Sequence, residues 1–141
     1  MFEQRVQRNM EALGRKDLAA IMRWWAEDGT LELAGHTPIS GRYEGKEAIA
    51  AFFRTVLERY AAVRLTVRHV AFTNPVALTF RNTVYVESEL EATSPEGVTI
   101  HDERIAVFEY RRGKVVSMRE WAFDPTIIEA IWGREAQPAT A

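Results

Sequence analysis

The chain has 141 residues, 47% of them hydrophobic, which is enough apolar side chain for the core of one ordinary domain. Lys and Arg number 18 against 20 Asp and Glu, a formal charge of -2, and the basic residues are scattered along the sequence, which argues against a nucleic-acid partner. With no cysteine there is no disulfide framework, no thiolate nucleophile and no Cys-ligated zinc.

The opening Met1-Phe2-Glu3-Gln4-Arg5-Val6 lacks an apolar h-region, and no apolar run approaches the roughly 18 residues of a membrane span. The expectation is a cytoplasmic protein without membrane contact. Phe2, Val6, Met10 and Leu13 recur at helical spacing before Gly14, so residues 2 to 13 read as an amphipathic helix, with Asn9 on the same stripe. Asp17 can cap a second helix in which Leu18, Ile21, Met22 and Trp25 share a face, ending near Glu27-Asp28-Gly29. A short strand, Thr30 to Leu33, leads into the irregular loop 34–41, which carries His36, Pro38 and two glycines. A third helix follows from about Lys46 to Tyr60 and buries Ile49, Phe52, Phe53, Val56, Leu57 and Tyr60.

From Ala62 the period becomes two. Val63, Leu65 and Val67 alternate with Arg64, Thr66 and Arg68 up to the turn Thr73-Asn74-Pro75. Strands over about 76 to 91, 98 to 110 and 114 to 123, joined by turns, complete an antiparallel meander. Asp124 as N-cap, Pro125 and Gly133 as stop frame a short closing helix, and residues 134–141 read as a disordered tail after a single domain, 1–133. Helices followed by strands long enough to curl predict an α+β cone, a curved antiparallel sheet wrapped around helices and enclosing a cavity.

Three stretches carry a family resemblance: Lys16-Asp17-Leu18 through Glu32, Gly41-Arg42-Tyr43-Glu44-Gly45-Lys46 through Phe53, and Val107-Phe108-Glu109-Tyr110 through Val116. In this order the chain resembles the SnoaL-like, nuclear-transport-factor-2-like superfamily, which implies a cystatin-like α+β barrel with a pocket for a small apolar molecule and a dimer built through the sheet. The superfamily holds isomerases, epoxide hydrolases, cyclases, dehydratases and non-catalytic binding domains, so fold alone does not choose among them. Matching the ketosteroid isomerases places Asn9, Leu33 and Ala106 at the positions of their Tyr, their Asp base and their protonated Asp. Leucine takes no proton and alanine donates none, so that mechanism is not expected here. Limonene-epoxide hydrolases set an Arg between two Asp residues and hold the attacking water with a Tyr and an Asn. Matched to them, this sequence puts Arg81, Thr83 and Glu120 at the first three positions, and the water-holding pair falls near Glu32 and Ala34.

The strand around Arg81 has two faces, Leu78-Phe80-Asn82-Val84-Val86 and Thr79-Arg81-Thr83-Tyr85-Glu87. Either the polar face is solvated or it lines the pocket while a dimer partner covers Phe80, Val84 and Val86. The second alternative makes Arg81 and Glu120 the catalytic pair. Glu120 shares a face with Val116, Met118 and Ala122, a setting that suits general acid or base work, and its alternative is a structural ion pair. Asn9, Trp25, His36, Thr83, Tyr85 and Met118 are the candidate substrate contacts, His36 as a loop gate. His69, His101 and the carboxylates are not spaced for ligation, so no metal and no cofactor is expected. Three functions remain open: a cofactor-free acid/base enzyme performing epoxide opening, isomerisation, dehydration or cyclisation on a small apolar substrate; a non-catalytic ligand-binding domain; and, behind these two, a dimeric structural module joined to partners.

Overall fold

A computed structural model describes residues 2–74 and 81–133. Helices α1 (Phe2–Glu11) and α2 (Leu18–Met22) precede strands β1 (Trp25–Leu33) and β2 (Gly41–Glu44) and helix α3 (Lys46–Arg59). Strands β3 (Ala62–Phe72), β4 (Arg81–Thr93), β5 (Thr99–Arg111) and β6 (Lys114–Ala122) follow, and a 3-10 turn, Pro125–Ile128, runs into α4 (Glu129–Trp132). The six strands form one sheet in the order β2-β1-β6-β5-β4-β3. Its β3-to-β6 half is the expected antiparallel meander, and β1 joins it in parallel with β6. The sheet curls without closing into a barrel. Three register shifts, at Trp25/Thr30, Val67/His69 and Glu109/Tyr110, supply local twist of the kind that bends strands. Helix α3 packs on β1 and β2, and α1 lies against β3, so the helices occupy the concave side.

Three local expectations are corrected. The second helix stops at Met22, because the next carbonyls are taken by the sheet: the Val115 amide donates to the Trp24 carbonyl at 2.7 Å, and Lys114 Nζ donates to that of Arg23 at 2.8 Å. Strand β1 therefore starts at Trp25 instead of Thr30. Strand β2 was not expected, because its Gly41-Arg42-Tyr43-Glu44 has no apolar alternation; pairing with β1 creates it. The closing segment keeps its cap, Asp124 accepting from the Thr126 amide, but its first turn is 3-10. The tail 134–141 and the strand start 76–80, with Leu78 and Phe80, lie outside the described residues.

The largest correction concerns the faces of β4. Val84 and Val86 are fully buried on the concave side and belong to the main core, so Arg81, Thr83, Tyr85 and Glu87 point outward. The physical reason is that the helices cover the concave side, and covering an apolar row there removes it from water without a partner subunit. Among the described residues, no helix is long and apolar enough to cross a membrane.

Candidate functional site

Because side chains alternate along a strand, the concave face of β5 carries Asp102, Arg104, Ala106, Phe108 and Tyr110. The register sets Ala106 beside Glu120, and Leu33 of β1 lies on the other side of Glu120. The bulge at Glu109/Tyr110 turns Val115, instead of the expected Val116, inward to share the cavity wall with Met118 and Glu120.

A cavity with about 100 Å3 of free space opens among these strands and the helices. That is smaller than the roughly 150 Å3 apolar cavity known to take up benzene. Its lining is mostly apolar and aromatic, including Trp24, Trp25, Phe52, Phe53 and Phe108, and its polar groups are few: Asn9, Tyr60, Arg104, Tyr110 and Glu120.

Arg104 is the centre of a buried charge chain. Its Nε donates to Asp102 Oδ2 at 3.0 Å and its Nη1 donates to Glu120 Oε1 at 2.7 Å. The side chains of Arg104 and Glu120 are 11% and 13% exposed, and that of Asp102 is fully enclosed behind them. Burial alone disfavours the guanidinium charge, but the two carboxylates outweigh it and hold Arg104 above its ordinary value, so it stays a cation. Arg104 Nη2 and Glu120 Oε2 make no hydrogen bond among the described residues, which leaves one donor and one acceptor on two residues that line an apolar space.

Two tyrosines complete the polar lining. Tyr60 accepts a hydrogen bond from Trp132 Nε1 at 2.9 Å; burial raises its hydroxyl, against the pull of that bond and of Arg104. Burial pushes Tyr110 further, up to about 12, against the opposing influence of Asn9 and Arg5. The ordinary value is roughly 10, so folding favours neutral Tyr110. The stability this brings is present below pH ~10, where the unfolded tyrosine also keeps its proton, and is lost as pH rises through about 12. A rapid pH-jump titration of tyrosinate absorbance should show a late step near 12 that Tyr110→Phe removes; an unchanged curve would contradict the burial of this hydroxyl.

Of the expected site residues, the structure brings Asn9, Trp25, Met118 and Glu120 together around the cavity. Arg81 and Thr83 instead border a surface cleft with Thr73, Asn74 and Glu109, and Tyr85 is exposed on the convex face. Those three assignments followed from the reversed face of β4. His36 is exposed on the β1–β2 loop and is not part of the cavity lining. His69 and His101 pair with Glu87 and Glu91 on exposed surface, and among the described residues no three His, Asp or Glu side chains converge as metal ligands. Sequence reading missed Asp102 and Arg104. Their signal was the alternation Asp102-Arg104-Ala106-Phe108, two opposite charges on a face that is otherwise apolar.

Comparison with known proteins agrees with the fold. No functionally curated protein matches the chain. Among solved structures, Bal32a from a soil-derived mobile gene cassette is similar at 21% identity and TM-score 0.78, covering 92% of this chain and 95% of that one. A putative isomerase from Bacillus subtilis aligns at 21% identity and TM-score 0.73 over 94% and 93% of the two chains. A ketosteroid isomerase-like fold from Catenulispora acidiphila, solved in complex with trimethylamine, aligns at 15% and 0.72 over 92% of each. With the description "SnoaL-like domain" matched across residues 6–118, and with a curved sheet holding a small cavity against its helices, the chain belongs to the SnoaL-like family.

Proposed function

We propose that the protein is a cofactor-free acid/base enzyme acting on a small, largely apolar molecule, with Glu120 as the proton-transfer group and Arg104 as the oxygen-stabilising donor. The observation that carries this reading is the Asp102–Arg104–Glu120 chain at the wall of an otherwise apolar cavity. Ion groups buried this way cost desolvation that an apolar replacement avoids, so they contribute little to a stability argument. Placed on the lining of an apolar cavity of about 100 Å3, they would offer a very small substrate a base and an oxyanion donor that need no reorganisation during reaction. Asp102 positions Arg104 from behind, away from the cavity.

The arrangement also supports the resemblance to limonene-epoxide hydrolases in a form different from the one expected: an arginine between two carboxylates, supplied by Asp102, Arg104 and Glu120 in place of Arg81, Thr83 and Glu120. Epoxide opening and related water-adding or proton-shifting reactions are the classes such a pair serves. The rival reading, a binding domain, draws on Leu33 and Ala106 standing where ketosteroid isomerases keep their acid/base groups. Yet both flank Glu120 in register, so a carboxylate is present on the strand between them.

Incubating small epoxides, enolisable ketones and β-hydroxy carbonyl compounds with the protein in water carrying deuterium and oxygen-18, with the products separated by chromatography, tests the proposal: epoxide opening fixes oxygen-18, a proton shift gives a separable isomer that carries deuterium where the proton exchanges, and dehydration gives a product lighter by one water. Protein-dependent conversion of one class supports it. Saturable binding of such compounds with no conversion of any would favour the binding domain.

The pairing surface is proposed to be the convex face of the sheet. Tyr85, Ile105 and Trp121 are 45%, 51% and 41% exposed there, and Ile105 lies directly opposite Trp121 in the β5–β6 register. A second copy of this chain, as the resemblance implies, would cover them. Sedimentation should show a dimer at micromolar concentration and a monomer for Ile105→Glu; a monomeric parent protein would refute the dimer.

A further inference from the structure

Outside the cavity, four arginines, Arg5, Arg8, Arg15 and Arg23, border one recess of about 460 Å3 between α1 and α2, together with Asn9 and Trp24. The chain carries a formal charge of -2, yet none of the residues bordering this recess is a carboxylate. Elsewhere Arg42, Arg64, Arg68 and Arg104 each sit within salt-bridge reach of an acid, whereas none of these four does among the described residues. Arg5, Arg8 and Arg15 share one side of the first helix and its following turn, at steps of three and seven, and Arg23 reaches the same space from the end of α2. The basic residues that look scattered in the sequence are therefore gathered here by folding.

Arg5 is held in place. Its guanidinium lies 3.7 Å from the centroid of the Trp24 ring, and Nη2 donates to the Gly113 carbonyl at 3.2 Å. Its Nε is buried without an acceptor among the described residues. Four like charges around one recess repel each other, and an oxyanion relieves that repulsion while accepting forked N–H donors.

We propose that this recess binds the phosphoryl group of a small soluble ligand. A multiply charged oxyanion fits the charge better than a single carboxylate, and a walled recess fits a compact group better than a flat surface would. Asn9 and Trp24 border both the recess and the cavity, so a ligand held here lies against the wall of the proposed reaction site. The assignment does not depend on that site being catalytic.

Inorganic pyrophosphate is the probe, titrated calorimetrically into the full chain at matched ionic strength with chloride as control. The expected result is saturable 1:1 binding that weakens as salt rises, falls at least ten-fold in the Arg15→Gln/Arg23→Gln variant, and is unchanged in Glu120→Gln and in Arg54→Gln, which removes an exposed arginine of α3 that does not border the recess. Arg15 and Arg23 are exposed, so the variant should fold, and circular dichroism checks that it does. No binding beyond the chloride control would overturn the assignment. So would equal affinity in the Arg15/Arg23 variant, or binding to phosphatidic-acid vesicles with none to pyrophosphate.

Discussion

Glu120→Gln should lower turnover at least ~100-fold, the lower end of what a positioned general base contributes, while ligand affinity changes by no more than about three-fold. The amide keeps the shape and volume of the carboxylate and can still meet Arg104 Nη1 through its carbonyl oxygen, now 2.7 Å away as a carboxylate oxygen. What it loses is the ability to take a proton at the second position, the one that makes no bond among the described residues. An interaction made with substrate and transition state alike would show in affinity; a proton transfer shows in rate alone. If Glu120 is only a structural partner of Arg104, the substitution leaves any turnover intact, and the proposal fails at its base.

Arg104→Met should be the most destabilising single change in the site, by about 3–5 kcal/mol, because it leaves two buried carboxylates with no cation between them. For a chain of this size that corresponds to a fall in Tm of about 10–20 °C. Adding Glu120→Gln to Arg104→Met should recover part of the loss, since it neutralises one of the stranded charges, so the double variant should be more stable than the sum of the single effects predicts. Arg81→Met serves as the comparison: Arg81 is exposed, and its loss should stay within about 0.5 kcal/mol. Urea unfolding monitored by circular dichroism measures the parent protein, the three single variants Arg104→Met, Glu120→Gln and Arg81→Met, and the double variant. Equal stability of the Arg104→Met and Arg81→Met variants would mean that the charge chain is not buried as described.

The fold was largely legible because its signals are local and periodic. The apolar stripe of α1, the caps at Asp17 and Asp124, and the alternation from Val63 to Val67 each announce an element within a few residues. The sheet's first two strands were obscured for the opposite reason. Trp25 continues a helical apolar stripe in sequence, and only the β6 amide of Val115, ninety positions away, turns the chain into a strand there. Likewise Gly41–Glu44 has no strand pattern of its own.

The site was half legible. Glu120, Met118, Asn9 and Trp25 stand out as polar or large side chains on apolar stripes, and all border the cavity. The arginine was misplaced because alternation divides a strand into two faces without saying which one is covered. On β4 the apolar row fits either a partner subunit or the helices, and the helices cover it. On β5 the inward face carries the charges, and two charged residues two apart ordinarily read as solvated surface. The basic recess was hidden in a similar way, since the apolar stripe of α1 draws attention from Arg5 and Arg8 on another side of the helix and Arg15 in the turn that follows it.

The most direct test of where this protein works is a methyl spectrum of 13C-methionine-labelled protein, titrated with whichever small apolar compound is converted. Met10 and Met118 border the cavity, whereas Met22 is buried in the core without bordering it. Saturating shifts of the Met10 and Met118 methyls at one equivalent, retained in the Glu120→Gln variant, are the predicted result. A compound that is turned over yet leaves both methyls unmoved would contradict the placement of the reaction site inside the curved sheet.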